Sequence, residues 1–197
     1  MSKFPEDLRV YEHLLWQAKP NAVIELGAQF GGSALWFRDR LRTLAAYDSR
    51  GEVRVVSVDL DTSAARSNLA AADPAFEETI VLLDGDVLDE GIAARVEAAL
   101  PENAVCFVVE DSAHTYETTS AALRSFARFV PRKGFFVVED GCVDVEEMRL
   151  DPDWPRGVLP AIGDWLETTE GQGFRVRRDL ELYGLSCHPG GFLQRVE

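Results

Sequence analysis

The stretch 104–141, AVCFVVEDSAHTYETTSAALRSFARFVPRKGFFVVEDG, contains two apolar runs that end alike. AVCFVVED (104–111) and GFFVVED (134–140) are each apolar almost throughout and close on acids. A strand with one wet face alternates apolar and polar residues, whereas a strand covered on both faces reads as a continuous apolar run. Between the two runs, Tyr116–Val130 carries its apolar residues at helical spacing. Strand, helix and strand at this spacing form a βαβ unit, and its two strands must lie parallel because the helix crosses back over the sheet.

Outward from that unit the alternation continues. Helices are expected at Asp7–Ala18, Gly32–Ala45, Thr62–Ala72 and Leu88–Leu100, and strands at Ala22–Leu26, Val53–Val58 and Thr79–Leu83. Downstream, a helix over Gly157–Thr169 precedes two strands, about Phe174–Leu180 and Phe192–Val196. Those two lie too close in sequence for a helical crossover and are expected as an antiparallel hairpin at one edge. The fold class is therefore α/β and Rossmann-like, a mostly parallel seven-stranded sheet with helices on both faces and a C-terminal antiparallel β-hairpin. The Pro- and Asp-rich stretch Asp151–Pro160 reads as a loop.

Bulk properties narrow the partners. With 46% hydrophobic residues the chain is too apolar for a disordered one, and its 197 residues suit a single domain. The net charge of -14 argues against nucleic acid and against an anionic membrane surface. No apolar stretch approaches membrane-spanning length, and the opening MSKFPEDLRVYEHLL is too polar for a secretory leader. Cys106, Cys142 and Cys187 show neither a zinc spacing nor a disulfide framework, so a reducing cytoplasmic setting is expected.

In open α/β sheets ligands bind beyond the carboxyl ends of the strands, so the residues that follow each strand carry the chemistry. After the first come Glu25, Gly27, Gly31, Gly32 and Ser33, spaced GxxxGG and not GxGxxG. Glycines let the backbone turn tightly and approach a ligand, although an ordinary strand-to-helix turn has the same look. Asp59 ends the second strand, where an acid commonly accepts hydrogen bonds from ribose hydroxyls; Asp86 follows the third, in a DGD that can equally be a plain turn. Asp111, Glu139 and Asp140 end the fourth and fifth strands, which would put them side by side at one rim. Carboxylates crowded in this way repel unless a cation neutralises them or some take up protons. An all-oxygen set suits Mg2+, or Mn2+ or Ca2+; solvated acids on a very acidic protein are the plainer alternative. His114, three residues past Asp111, has the side chain for a general base, or a structural role at a helix start. His13 on the first helix reads as structural, and His188 falls in the turn of the terminal hairpin.

Five βα units followed by a hairpin are the chain order of class I methyltransferases. The sequence resembles the cephalosporin hydroxylase/rhamnosyl O-methyltransferase family over about Ala22 to Val196. The resemblance is carried by ELGAQFGGS, SVDLD, EDSAHTYETTSAALRSFARFVPRKGFFVVEDG and HPGGFLQR. It implies S-adenosylmethionine (SAM) as donor, with Glu25, Gly27, Gly31, Ser33 and Asp59 holding it and Asp86 near the adenine. It implies Asp111, Glu139 and Asp140 as metal ligands, with Mg2+ assisting, and Asp111 and His114 as the catalytic pair, as in the similar catechol O-methyltransferase. Ala113 departs from the family, whose members often carry a polar or acidic residue there, and the chain is short of the family's usual N-terminal extension.

The reaction so implied is methylation of a hydroxyl on a small molecule, a sugar or natural product. A single domain over 1–197 is expected, with an N-terminal helix in 1–20 and a loop and helix in 151–170 beside the acceptor pocket. Trp154, Trp165 and Tyr183 are candidates for its apolar wall, although Trp165 suits core packing. Two other readings stay open: metal-independent methylation at nitrogen, and a SAM-binding partner subunit without activity. Oligomerisation is left open too.

Overall fold

The computed structural model describes residues 3–48 and 51–196. Among the described residues, six α-helices and seven strands alternate through most of the chain: α1 (Pro5–Ala18), β1 (Ala22–Leu26), α2 (Gly32–Asp48), β2 (Arg54–Asp59), α3 (Ser63–Ala72), β3 (Ile80–Asp84), α4 (Ile92–Ala99), β4 (Cys106–Glu110), α5 (Tyr116–Phe126), β5 (Phe135–Val138), α6 (Val158–Leu166), β6 (Phe174–Val176) and β7 (Phe192–Arg195). The strands form one seven-stranded sheet in the order β3-β2-β1-β4-β5-β7-β6. β1 to β5 pair in parallel, while β7 runs antiparallel to both β5 and β6. No described helix is long and apolar enough to cross a membrane.

The continuous apolar runs have the expected physical cause. β1, β4 and β5 are buried at every position, and successive side chains enter opposite cores. Ile24, Val108 and Phe136 pack under α4, α5 and α6, whereas Val23, Phe107 and Val137 pack under α1, α2 and α3. Each helix buries one stripe. On α5 that stripe includes Ala122, Leu123 and Phe126, and Thr115 opens the helix in a reciprocal capping box with Thr118.

Boundaries shift where local chemistry competes. The expected helix at Leu88 starts at Ile92, because the Asp86 and Asp89 carboxylates accept from Leu88 N–H and Gly91 N–H and hold two turns. α5 stops at Phe126 and tightens into a 3-10 turn, Ala127–Phe129, before Pro131. The first strand of the terminal hairpin ends at Val176 and not at Leu180. Arg177 donates its last ladder bond to Phe192 O and then pairs with Asp179 as the chain turns into Arg178–Leu180.

Register places the rim. Leu26 lies opposite Glu110, and Glu110 opposite Val138, so Gly27, Asp111 and Glu139 follow one another across three adjacent strand ends. Their backbones are joined: Asp111 N–H donates to Leu26 O and Glu139 N–H to Glu110 O. The strand order reverses between β1 and β4, which is where an open α/β sheet forms its crevice.

Candidate active site

A cavity of about 730 Å³ opens at that reversal, within the range of small-molecule sites. Its floor is the turn after β1. Gly27 has φ +108°, and a Cβ there would stand 1.9 Å from Asp111 O, so this glycine is fixed by the closeness of two strand ends. Ala28 N–H and Gln29 N–H both donate to Asp59 Oδ2, at 2.9 and 2.8 Å, which anchors the turn to the end of β2. Ser33, Asp59 and Asp86 line the cavity, as Gly27 does. Glu25 and Gly31 do not. Glu25 is fully buried behind the turn and accepts from Ser57 Oγ; burial raises its carboxyl above the ordinary range against the pull of Lys3 and the nearby serines. Gly31 (φ +78°) backs against Leu69 and Ala65 of α3.

The far wall holds the chemistry. His114, with φ +56°, precedes the cap of α5 and turns its ring onto the acids. Its Nε2 lies 3.4 Å from Asp140 Oδ2 and 3.7 Å from Asp111 Oδ1. Asp111, His114 and Asp140 all line the cavity, and each offers one donor atom within 4.8 Å of the others. Asp140 itself is held in a left-handed conformation (φ +54°) by its N–H, which donates to His188 Nδ1 at 2.9 Å. His188 Nε2 faces Asp7 Oδ2 and Glu139 Oε2 at 3.6 and 3.7 Å.

Glu139 is buried at the rim. Its Oε1 accepts from Lys3 Nζ at 2.6 Å and from Tyr11 Oη at 2.5 Å. The same Lys3 ammonium donates to Asp111 Oδ2 at 2.7 Å, and its side chain is 4% exposed. Burial alone would lower the Lys3 pKa, but Glu139, Asp111 and Glu25 more than offset it and the group is raised. Burial likewise pushes Glu139 up, yet His188, Lys3 and Tyr11 hold it below its ordinary value. Asp111 stays well above its own, through burial and the Glu139 charge, despite Lys3.

The expected trio therefore divides. Asp111, Glu139 and Asp140 do share the rim, but among the described residues they do not gather donor atoms around one point; Glu139 groups with Asp140 and His188 instead. The place between Asp111 and Glu139 holds the Lys3 ammonium. Crowded carboxylates do find a cation, and the chain supplies it. Lys3 and Tyr11 were not expected here, and His188 was placed only in the turn of the terminal hairpin, where it could border the substrate pocket. The one hint in the sequence is scarcity: Lys3 is one of three lysines in the chain.

Trp154 lines the cavity from the 151–157 loop, which Arg149 clamps through the carbonyls of Val143, Pro152 and Trp154. Trp165 is buried and packs edge-on to Phe174, in the core as its helical position suits. The Tyr183 side chain lies outside the described residues. His13 is exposed on α1 and does not line the cavity.

A glycine turn, an acid at the end of β2 and a histidine among acids after β4 are all features of the resemblance, now assembled in space. The family model described as Rhamnosyl O-methyltransferase/CmcI matches residues 1–196. The chain belongs to this family. With membership goes the enzyme class, a SAM-dependent methyltransferase acting at the oxygen of a small molecule. Among curated family members, the rhamnosyl O-methyltransferase of Mycobacterium bovis (strain BCG / Pasteur 1173P2) is 23% identical over 196 residues, covering 98% of this chain and 74% of the relative. That of Mycobacterium leprae (strain TN) is 26% identical over 140 residues, covering 70% and 56%. Among solved structures, CmcI with Mg and SAM superposes with a TM-score of 0.67 at 21% identity, covering all of this chain and 74% of that one. An O-methyltransferase from Bacillus cereus in complex with SAH gives 0.69 at 14%, covering 100% and 83%. These likenesses establish the shared fold.

Proposed function

We propose that the cavity transfers a methyl group from SAM to a hydroxyl of a sugar or natural-product acceptor, in the reducing cytoplasm that three free thiols suit, with His114 as the proton acceptor. The observation that carries this reading is the placement of His114 Nε2, on the cavity wall between Asp140 Oδ2 and Asp111 Oδ1. A proton arriving at Nε2 would stand 3.4 Å from Asp140 Oδ2 and 3.7 Å from Asp111 Oδ1.

When bound, SAM supplies a sulfonium methyl; as the acceptor oxygen bonds to that carbon, the C–S bond breaks and its electron pair stays on sulfur. The chain's part is to hold and to deprotonate. Gly27, Ser33, Asp59 and Asp86 line the side of the cavity assigned to the donor, with Glu25 and Gly31 shaping the turn from behind. Trp154 offers a flat apolar surface on the side assigned to the acceptor, suited to the face of a sugar or an aromatic ring. The hydroxyl proton passes to His114 Nε2.

His114→Ala should lower kcat by about 10²–10⁴ while SAM still binds. The pH–rate profile of the variant should differ in shape from that of wild type. A variant with an unchanged profile would reassign His114 to structure.

A second reading adds a divalent ion on Asp111, His114 and Asp140, whose donor atoms lie within 4.8 Å. A CmcI structure holding Mg and SAM is in keeping with it. That ion would occupy the imidazole and remove His114 from the role of base, so the two readings predict opposite responses to EDTA.

A further inference from the structure

We propose that Lys3 is the resident cation of the acceptor side: its ammonium stands where a divalent ion would bridge Asp111 and Glu139, and it holds Asp111 against the reacting oxygen. The inference rests on the methyl-transfer reading above and names a further residue of its acceptor side.

Three observations carry it. First, the ammonium makes two short charge-assisted hydrogen bonds, to Asp111 Oδ2 at 2.7 Å and to Glu139 Oε1 at 2.6 Å, and it lines the cavity together with Asp111 and His114. Both oxygens are the ones that a divalent ion between these acids would need, so the ion and the ammonium compete for one place. Second, the surroundings demand positive charge. Glu139, Asp111 and Glu25 all act on Lys3 through their charge, and Asp140 adds a fourth carboxylate at the rim. Leaving such a group unneutralised is strongly unfavourable.

Third, Lys3 is not a surface lysine that happens to reach inward. Pro5 starts α1 within its first turn, and that helix is fixed by buried polar contacts on the same side as the site. Asp7 is fully buried and accepts from Ser186 Oγ at 2.7 Å and from Cys187 N–H at 3.0 Å. Tyr11, also fully buried, donates to the same Glu139 oxygen that Lys3 reaches. Helix α1 is thus docked against the end of β5 and the loop before β7, and the residue two before its start is delivered to the rim. An ammonium has three donors. Two are used on the acids, and the group sits on the cavity wall where an acceptor oxygen would meet it. Positive charge at that point favours the alkoxide character that develops as the hydroxyl proton leaves.

The test uses the full chain stripped of metal and titrated with Mn2+, read by electron paramagnetic resonance of the free ion. Wild type should bind Mn2+ at least about ten-fold more weakly than Lys3→Met, because the vacated carboxylates become available to the ion. Lys3→Arg, which keeps the charge, should stay close to wild type. Equal binding by wild type and Lys3→Met, whether tight or absent, overturns the proposal. Should Lys3→Met fail to fold, Lys3→Gln takes its place in the same titration, and equal binding by that variant and wild type overturns the proposal. SAM titration of wild type separates the two layers, since loss of SAM binding would strike the methyl-transfer reading and leave the Mn2+ comparison standing.

Discussion

The two halves of the rim neutralise their acids by different means. At the ends of β2 and β3, Asp59, Asp84 and Asp86 meet backbone N–H groups of nearby turns. Asp59 accepts from Ala28 and Gln29, Asp84 from Thr62, and Asp86 from Leu88. These acids are half-buried or exposed and hold local geometry. On the β4–β5 side the acids lie deeper, and their partners are side chains brought from far along the chain. Lys3 lies 108 residues from Asp111 and 136 from Glu139, and Tyr11 lies 128 from Glu139. Backbone amides suffice to shape a turn that holds a ligand. A side that must stabilise changing charge needs ionisable groups set against one another in a place of low dielectric.

The largest effect should come where the halves touch. Gly27→Ala puts a Cβ 1.9 Å from Asp111 O at a φ that disfavours any side chain, and should cost about 4 kcal/mol or more, read as a fall in the urea midpoint. Near-normal stability would mean that the strand ends can part and that the two sides are not rigidly coupled.

Glu139→Gln comes next, at about 3 kcal/mol near neutral pH, because it leaves Lys3 with one acid fewer in a buried place. Its sign with pH is fixed by direction. The folded-state pKa of Glu139 is below its ordinary 4.5, so its stabilising contribution is present above 4.5 and is lost as pH falls through the folded value. Thermal melts of wild type should show that acid limb, and the glutamine variant should show less of it; parallel curves would remove Glu139 from the charge network.

Asp59→Ala should be milder, about 1–2 kcal/mol, since the Ala28 and Gln29 N–H groups it frees are partly open to water. SAM affinity should fall with it, measured by calorimetric titration, and Lys3-side properties such as the Mn2+ response should not move. Trp154→Ala should be the smallest, within about 0.5 kcal/mol in stability because the ring is 38% exposed. Its signature should be an acceptor KM raised roughly five-fold with kcat retained. A change confined to the SAM KM would place the ring on the donor side instead.

Much of the fold could be read along the chain because its causes are local or periodic. Continuous apolar runs in AVCFVVED and GFFVVED follow from cover on both faces, and capping at Thr115 and the glycine turn after β1 are encoded within a few residues. The same holds for half of the site. Asp111 and His114 are three residues apart on one loop, and parallel register alone brings Glu139 to the neighbouring strand end. Element ends were less legible, since the short-range carboxylate turns of Asp86 and Asp89 displaced a helical pattern that periodicity extends to Leu88.

The sequence by itself determined a mostly parallel sheet and the meeting of acids at the ends of two neighbouring strands. Which cation stands between those acids, and which way Glu139 faces, were decided by tertiary structure. Helix α1 docks through Asp7 and Tyr11 onto segments more than a hundred residues away, and only that docking carries Lys3 between the acids. Neither periodicity nor motif spacing records such a meeting, because the charge and its counter-charge share no element and no local pattern.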